Sequence, residues 1–346
     1  MKRKLIFVAV AALFAEGLLA QALPTGGTLT RGAGSIDTAG SAMTVTQTSQ
    51  RAIFDFATYN IGAGASVTYA QPGASAVAVS RVPLSAGRSQ IDGTLSANGH
   101  IMLLNPNGVL FGAGAVVNVG SLTASTGTIN DDAFMAAATS IAIAGATTGS
   151  IENRGTITAS SAGLIAFVAP SVVNSGVITA VGGRIVLAGA QAATLSFNGG
   201  LYELTVGEGV AGSSVANSGT LSTAATASGP VASGTIVLSA PEVDGVVSGA
   251  INLSGIQRAN RVEVHGGVVT LSSDLDAAAV AGTSGAARVS AGAQIQDAVD
   301  VVRAGATIDV NGGAYAEGHA NVDYFGAAGG GQNFGLHVYK DNLTIR

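Results

Sequence analysis

"IENRGTITASSAGLIAFVAP" (residues 151–170) and "VVNSGVITAVGGRIVLAGA" (172–190) are written in one grammar. Each has Asn-x-Gly, a short alternating stretch, a small-residue turn and an apolar run. "VANSGTLSTAATASGPVASGTIVLSAP" (215–241) repeats it, and "QIDGTLSANGHIMLLNP" (90–106) reads as a fourth copy with Asp in place of Asn. The glycines that open these strands, Gly93, Gly155, Gly176 and Gly219, are 62, 21 and 43 residues apart. Those separations are near three, one and two multiples of a period of roughly 21, within the range of solenoid repeats. A unit this short cannot bury its own apolar face, so copies must stack.

Leucine-rich repeats have a similar period, but their Leu-x-x-Leu-x-Leu frame is absent here. A coil of parallel strands fits instead: an all-β, single-stranded right-handed parallel β-helix with an N-terminal cap and few helices. Each rung turns through two or three short strands, with Asn and Gly placed at corners for their tolerance of positive φ. The expected inward positions are Ile157, Ile165, Phe167, Ile178, Ile185, Leu187, Ile236 and Leu238. With rungs about 4.8 Å apart, some 250 residues would form a rod of roughly 55 to 60 Å.

Composition agrees. Charged residues are 10% and aromatics 5% of the 346 residues, Gly numbers 50, and Trp is absent. Val, Ile, Thr, Ser, Gly and Asn favour strands and turns. A hydrophobic content of 47% argues against disorder. A net charge of −5 with 15 Lys+Arg leaves no basic stripe for nucleic acid.

Residues 1–22 read as an export signal. Lys2-Arg3-Lys4 precede an apolar stretch, Leu5 to Leu19, broken by Glu16, and Ala20-Gln21-Ala22 offer small residues for cleavage. The run is too short and too charged for a membrane anchor. The absence of Cys means that an exported chain takes its stability from its core rather than from disulfides.

A coil of parallel strands has an open end, which residues 23–75 are expected to cap. There "AMTVTQTS" alternates as a half-buried strand does. Further on, "GHIMLLNPNGVLFG" (99–112) contains one sharply written turn. Pro106 fixes φ at its second position, Asn105 accepts from the turn's backbone, and Gly108 supplies a left-handed exit.

"LPTGG", "SQRAIFDFATYNIGAGASVTYAQPGASAVAVSRV" and "SQIDGTLSANGHIMLLNPNGVLFGAGAVVNVGSLTAST" together resemble the N-terminal secretion domain of two-partner-secreted exoproteins, the filamentous haemagglutinin-like and high-molecular-weight-adhesin-like proteins. The resemblance runs over about residues 23–130, and Asn105-Pro106-Asn107-Gly108 is the signature turn. It implies a capped right-handed β-helix recognised by a cognate outer-membrane β-barrel transporter with periplasmic domains. It also implies export through the periplasm to the surface of a Gram-negative cell. The supporting positions are Phe54, Phe56, Ile61, Gly62, Gln71, Pro72, Arg81, Val82, Asn98, Gly99, Phe111 and Gly112. One branch's Asn-Pro-Asn-Leu motif and Cys pair are missing, which places the chain with the adhesin-like branch. Phe54 stands where relatives have Trp, and Ser80 where they often have a turn Asn.

Two roles for the turn compete: setting strand register at one corner, or being read by the transporter while unfolded, as an extended strand added to a sheet edge. Asn105 and Asn107 are expected to act chiefly through folding.

The domain reading is a signal peptide (1–22), a secretion domain (23–135), β-helix repeats (136–284), and a helix-capped start of a second β-helix region (285–346). In the last, Ile295, Ala298, Val299 and Val302 form one helical stripe, with Asp297 and Asp300 facing water. The segment loosely resembles the opening of a pectate-lyase-like coil with "NGGAYAE" as first corner. Its end in mid-strand suggests a longer exoprotein. Gly329-Gly330-Gly331 reads as spacer.

Catalysis is not expected. His100, His265, His319 and His337 lack metal-ligand spacing, and Asp131-Asp132 and Glu242-x-Asp244 read as solvated loop charges. No cofactor is implied. The reading is a non-enzymatic adhesin or haemagglutinin with a host-cell or glycan receptor. The alternatives are a polysaccharide-active enzyme or contact-dependent toxin whose active module follows residue 346.

Overall fold

The computed structural model describes residues 22–146, 148–198, 201–226, 231, 233–241, 243, 249–312, 340 and 343–346. The leader reading at 1–22 therefore falls, apart from Ala22, outside the described residues. So do His319, His337, Glu242, Asp244, the triple glycine and most of "NGGAYAE".

The chain winds as a three-faced parallel β-helix of the right-handed kind that parallel crossovers adopt. One coil shows the scheme. Ser171–Asn174 lies on the first face, Val177–Ala180 on the second and Arg184–Gly189 on the third. Each pairs in parallel with the equivalent strand one rung on, at Ser214–Asn217, Thr220–Ser222 and Thr235–Ala240. All eight inward positions named above are fully buried in one core that runs from Met43 to Ile308.

The rungs differ from the expected spacing. The second-face strand Val116–Val119 pairs with both Thr94–Ala97 and Thr156–Ala159, so Gly93 and Gly155 are two rungs apart, not three. Val177 pairs directly with Thr220, so Gly176 and Gly219 are one rung apart, not two. The surplus residues leave the coil between the third and first faces as two excursions. They meet outside as an antiparallel sheet of Thr128–Ile129, Ser140–Ala144, Ala193–Asn198 and Leu201–Val206, with a short helix at Asp131–Met135.

This side sheet covers the outer surface of the third face in a second apolar cluster that includes Val79, Met102, Leu164, Val186 and Leu195. Third-face strands are thus buried on both sides, which explains why His100–Leu104 and Leu164–Ala169 are near-continuous apolar runs. Thr156–Ala159, bare on its outer side, alternates instead.

Asn-x-Gly has a different cause from the one its composition suggested. Gly155, Gly176 and Gly219 do not have positive φ. They sit where the neighbouring rung's backbone comes closest: a Cβ on Gly176 would lie 2.2 Å from the carbonyl oxygen of Gly155, and one on Gly219 2.1 Å from that of Gly176. The asparagines point inward. Asn153 Nδ2 donates to Asn174 Oδ1 at 2.7 Å, and Asn174 Nδ2 to Asn217 Oδ1 at 2.7 Å, in a buried ladder. In the fourth copy the ladder position is Ile91, by way of Phe111, and Asp92 turns outward to accept from Gln90 Nε2.

The N-terminal segment caps the coil with antiparallel pairs. Gly34–Ala39 pairs with Ala42–Gln47, and Thr28–Arg31 with Arg51–Asp55. Ala42–Gln47 and Arg51–Asp55 then start the parallel rungs against Ser66–Ala70 and Val77–Arg81.

At the other end, Ser284–Val289, Val302–Val310 and Thr344–Ile345 extend the same first-face sheet. A boundary at 284/285 would cut the strand Ser284–Val289, and the segment adds rungs to one coil rather than opening another. Its helix spans Ile295–Val301, with Val302 already in the next strand. Asp297 is buried and accepts from the Leu275 amide at 2.9 Å, and Asp300, half-buried, accepts from Gln296. Neither is a water-facing residue as expected. Among the described residues no helix is long and apolar enough to cross a membrane.

Gly219→Ala should destabilise the chain by about 1–3 kcal/mol, because the clash is with backbone that cannot yield. Gly73→Ala, in open space, should stay within roughly 0.5 kcal/mol of the parent. Urea unfolding of the two variants checks this.

His100 lies wholly buried under the side sheet, sharing a hydrogen bond with Thr123 Oγ1 at 2.9 Å and meeting the Tyr202 ring edge-on at 4.4 Å. Burial pushes its pKa down to about 3. Between an ordinary value near 6.5 and that pH the unfolded chain holds a proton that the folded chain does not. Its contribution is therefore intact above the ordinary value and lost as pH falls, with a slope approaching about 1.4 kcal/mol per pH unit. In His100→Gln the pH dependence of unfolding free energy between those limits should be shallower than in the parent by that amount.

Candidate functional site

Asn105-Pro106-Asn107-Gly108 joins the third-face strand His100–Leu104 to the first-face strand Val109–Phe111. The Gly108 amide donates to the Asn105 carbonyl at 2.9 Å, closing the turn, and the Asn107 amide donates to Asn105 Oδ1 at 2.9 Å. Gly108 leaves at φ +101°, and a Cβ there would meet the Ser150 carbonyl oxygen at 2.4 Å. Both backbone freedom and close approach require glycine at this position.

Asn105 is fully buried. Its Nδ2 donates to the Gly87 carbonyl at 3.1 Å and to Ser89 Oγ at 2.8 Å, tying the turn to the preceding loop. Asn107 Nδ2 reaches the Leu84 carbonyl at 3.1 Å in the same loop. In the folded protein the Asn105 amide is therefore spent on internal bonds, and no part of its side chain is presented to a receptor.

The supporting positions divide into three groups. Gln71, Asn98 and Gly99 meet at the opposite end of the strand His100–Leu104. Gln71 Oε1 accepts from the Gly99 amide at 2.9 Å, and its Nε2 donates to Gln47 Oε1 at 3.0 Å and to the His100 carbonyl at 3.3 Å. The Asn98 side chain pairs with both the amide and the carbonyl of Gln71, at 2.8 Å each. Pro72, beside them, is exposed.

Phe54, Phe56, Ile61, Val82 and Phe111 form the second group, all in the core of the first rungs. Phe111 stacks on Phe167 at 5.7 Å, and Phe56 meets Tyr59 edge-on at 5.1 Å. Gly62 and Gly112 lie beside them, Gly62 tied through its backbone and Gly112 pressed against a side chain. The Gly62 amide donates to the Ala22 carbonyl at 2.7 Å, and a Cβ on Gly112 would overlap Asp92 Oδ1. Ser80, expected at a turn, is instead buried in a strand. Its Oγ shares a 2.6 Å hydrogen bond with the Tyr69 hydroxyl, which is itself 2.9 Å from that of Tyr59.

Arg81 is the third. Its guanidinium bridges Asp55 of the cap at 2.5 Å and Asp131 at 2.6 Å. The hydrogen bond to Asp55, then that to Asp131, push its pKa above its ordinary value against the cost of burial. Asp131 is thus a structural partner rather than a solvated charge, whereas Asp132 is open to solvent and only 3.5 Å from Arg31. Arg51 makes a parallel link that sequence reasoning missed. It donates to the carbonyls of Phe134 and Ala138 and lies over the rings of Phe134 and Phe197, at 5.2 and 4.6 Å from their centroids. Among the described residues no three His, Asp or Glu gather in a way that could hold a metal ion.

Comparison with known proteins bears on this geometry. Residues 20–286 match the family model of the TPS secretion domain. Two heme/hemopexin-binding proteins of Haemophilus influenzae are similar, one 39% identical over 107 residues (31% of this chain, 12% of the relative) and one 44% identical over 84 residues (24% and 9%). The aligned stretches thus span about a tenth of the length of these curated relatives. Among solved structures, the HMW1 secretion domain of Haemophilus influenzae superposes with a TM-score of 0.58 at 21% identity, covering 84% of this chain and 82% of that one. The match reaches well beyond residue 130 and takes in the rungs that the repeats alone defined, so this chain belongs to the TPS secretion domain family of two-partner-secretion exoproteins.

Proposed function

We propose that residues 23–135 are the part read by a cognate outer-membrane β-barrel transporter with periplasmic domains. The chain is then exported through the periplasm to the cell surface or medium of a Gram-negative bacterium, after the segment 1–22 has directed it across the inner membrane. The rungs that follow form a rod that displays an adhesive surface. One observation carries the export part of this reading: the family match over residues 20–286 of a capped β-helix.

The geometry of the turn supports a division of labour in time. Asn105 is buried once the rungs have formed, so any contact of its side chain with the transporter precedes folding. An extended strand pairing with a receptor's sheet edge suits that stage. The family is one of exoproteins rather than a known enzyme family. The short overlap with the heme/hemopexin-binding proteins supports a shared export element, not a shared cargo.

Co-expression with the cognate transporter in a Gram-negative host tests this. The chain should reach the surface or medium only when the transporter is present. Asn105→Ala should lower both stability, by about 1–3 kcal/mol, and the amount secreted, while leaving the affinity of the unfolded segment for the transporter's periplasmic domains unchanged. Asn107→Ala should have the same effects to a smaller degree. Normal folding with lost binding would reverse the proposed roles.

A further inference from the structure

The bare second face carries two outward rows in register from rung to rung: Thr156, Val177, Thr220 and Ile256 in one, Thr158, Thr179, Ser222 and Arg258 in the other. Where the chain departs from the coil after Ser222, these rows become the floor of a groove of ≈ 690 Å³. Ala224 to Thr226 form its flank, and Asp274 and Asp276, one rung on in the same two rows with Ser273 at the corner before them, line its far end. That volume is within the range of small-ligand sites, roughly 300–1,000 Å³.

Its chemistry is specific. Val177 and Ile256 expose 39% and 55% of their surface, where water would otherwise have to cover apolar side chains. Between them stand the hydroxyl groups of Thr179, Thr220 and Ser222, each able to donate and accept. Of the charged groups, Arg258 is 3.4 Å from Asp276 and neutralised by it, which leaves Asp274, exposed, to set a net negative sign. An anionic polymer is repelled by this field, and a partner with a cationic patch would find a net charge of only −1. A molecule with apolar C–H faces and many hydroxyls meets each feature. The rows run along the coil axis and repeat every rung, about 4.8 Å, which suits a chain of similar units rather than a single compact ligand.

We infer that this groove binds an uncharged polysaccharide, laid along the coil axis across the rungs of Val177, Thr220 and Ile256. The inference rests on the reading of the exported chain as an adhesive rod, and it assigns the first contact surface on that rod.

Titration calorimetry of the purified full chain tests it, using neutral linear hexasaccharides of the β-1,4-glucan, β-1,3-glucan, xylan and mannan types and polygalacturonate as the anionic comparison. At least one neutral oligosaccharide should bind with a Kd below about 1 mM. Ile256→Lys and Thr220→Val should each weaken it by roughly tenfold, the loss expected of one good contact. Val116→Lys, on the same face but outside the groove, should leave it unchanged, with circular dichroism confirming that every variant keeps its strands. Failure of all four neutral glycans, equal binding of polygalacturonate, or binding that survives Ile256→Lys with Thr220→Val would overturn the inference. Export scored in the same strains separates the two readings: a chain exported normally that binds no glycan overturns the groove alone.

Discussion

The closest constraint in this molecule is the approach of one rung's backbone to the next. Parallel ladders hold successive coils at one strand spacing. At the corner before the second face that spacing leaves no room for a side chain: the stacked positions of Gly155, Gly176, Gly219 and Gly255 bring each would-be Cβ within 2.6 Å of a neighbouring carbonyl oxygen. Once the corner is fixed, the Asn two residues before each of the first three glycines is aimed inward. Its amide then finds partners in the Asn of the adjacent rung, the local glycine backbone and, at Asn174 and Asn217, a strand carbonyl of the next rung. Glycine sets the distance, and the asparagine ladder uses it to satisfy polar groups inside an apolar core.

The first rungs solve a different problem, because they have no earlier coil to stack on. Antiparallel pairs close the edge, and side chains lock the closure to later parts of the chain. Arg81 joins the cap's Asp55 to Asp131, and Arg51 reaches the carbonyls of Phe134 and Ala138. Both arginines thus tie the cap to the side sheet. That sheet in turn buries the outer surface of the third face down to Val237. The front of the coil is therefore held on three sides, by cap, side sheet and the following rung, with the Asn105 turn at one of its corners.

The fold was legible because the strand types write themselves differently. Alternation in "TITA" marks a face open to solvent, and continuity in "LIAFVA" marks one covered on both sides. The inward residues followed from that pattern, and the turn at Asn105 from its residue types. What could not be read was anything set by distant partners. Residues 127–149 and 190–213 looked like further rungs by length alone, yet their strands pair with each other across about fifty residues of chain. Arg81 finds Asp131 fifty residues on, so neither charge announces the other. Ser80 looked like a substitute at a turn because its hydroxyl partner, Tyr69, belongs to the preceding strand. Asp297 looked solvated because nothing local shows that its helix is packed against the coil. Local chemistry gives the rung; the excursions and their locks are properties of the assembled stack.

That separation bears on how a chain of this secreted family can fold. It contains no Cys, so no disulfide is available to store folding information, and its stability comes from contacts. In a stacked coil each rung needs only its neighbours, which lets folding advance from any completed end. Completing an end is the costly step, because an unpaired parallel edge is open to wrong partners. Here the structures that complete one, the antiparallel cap and the arginines that fasten it, lie in the N-terminal part of the chain, and their fastening points extend no further than Phe197. A chain that emerges with this portion first would carry its own template, and later rungs, whose glycine corners and asparagine ladder repeat the same geometry, would need no information beyond the rung before them.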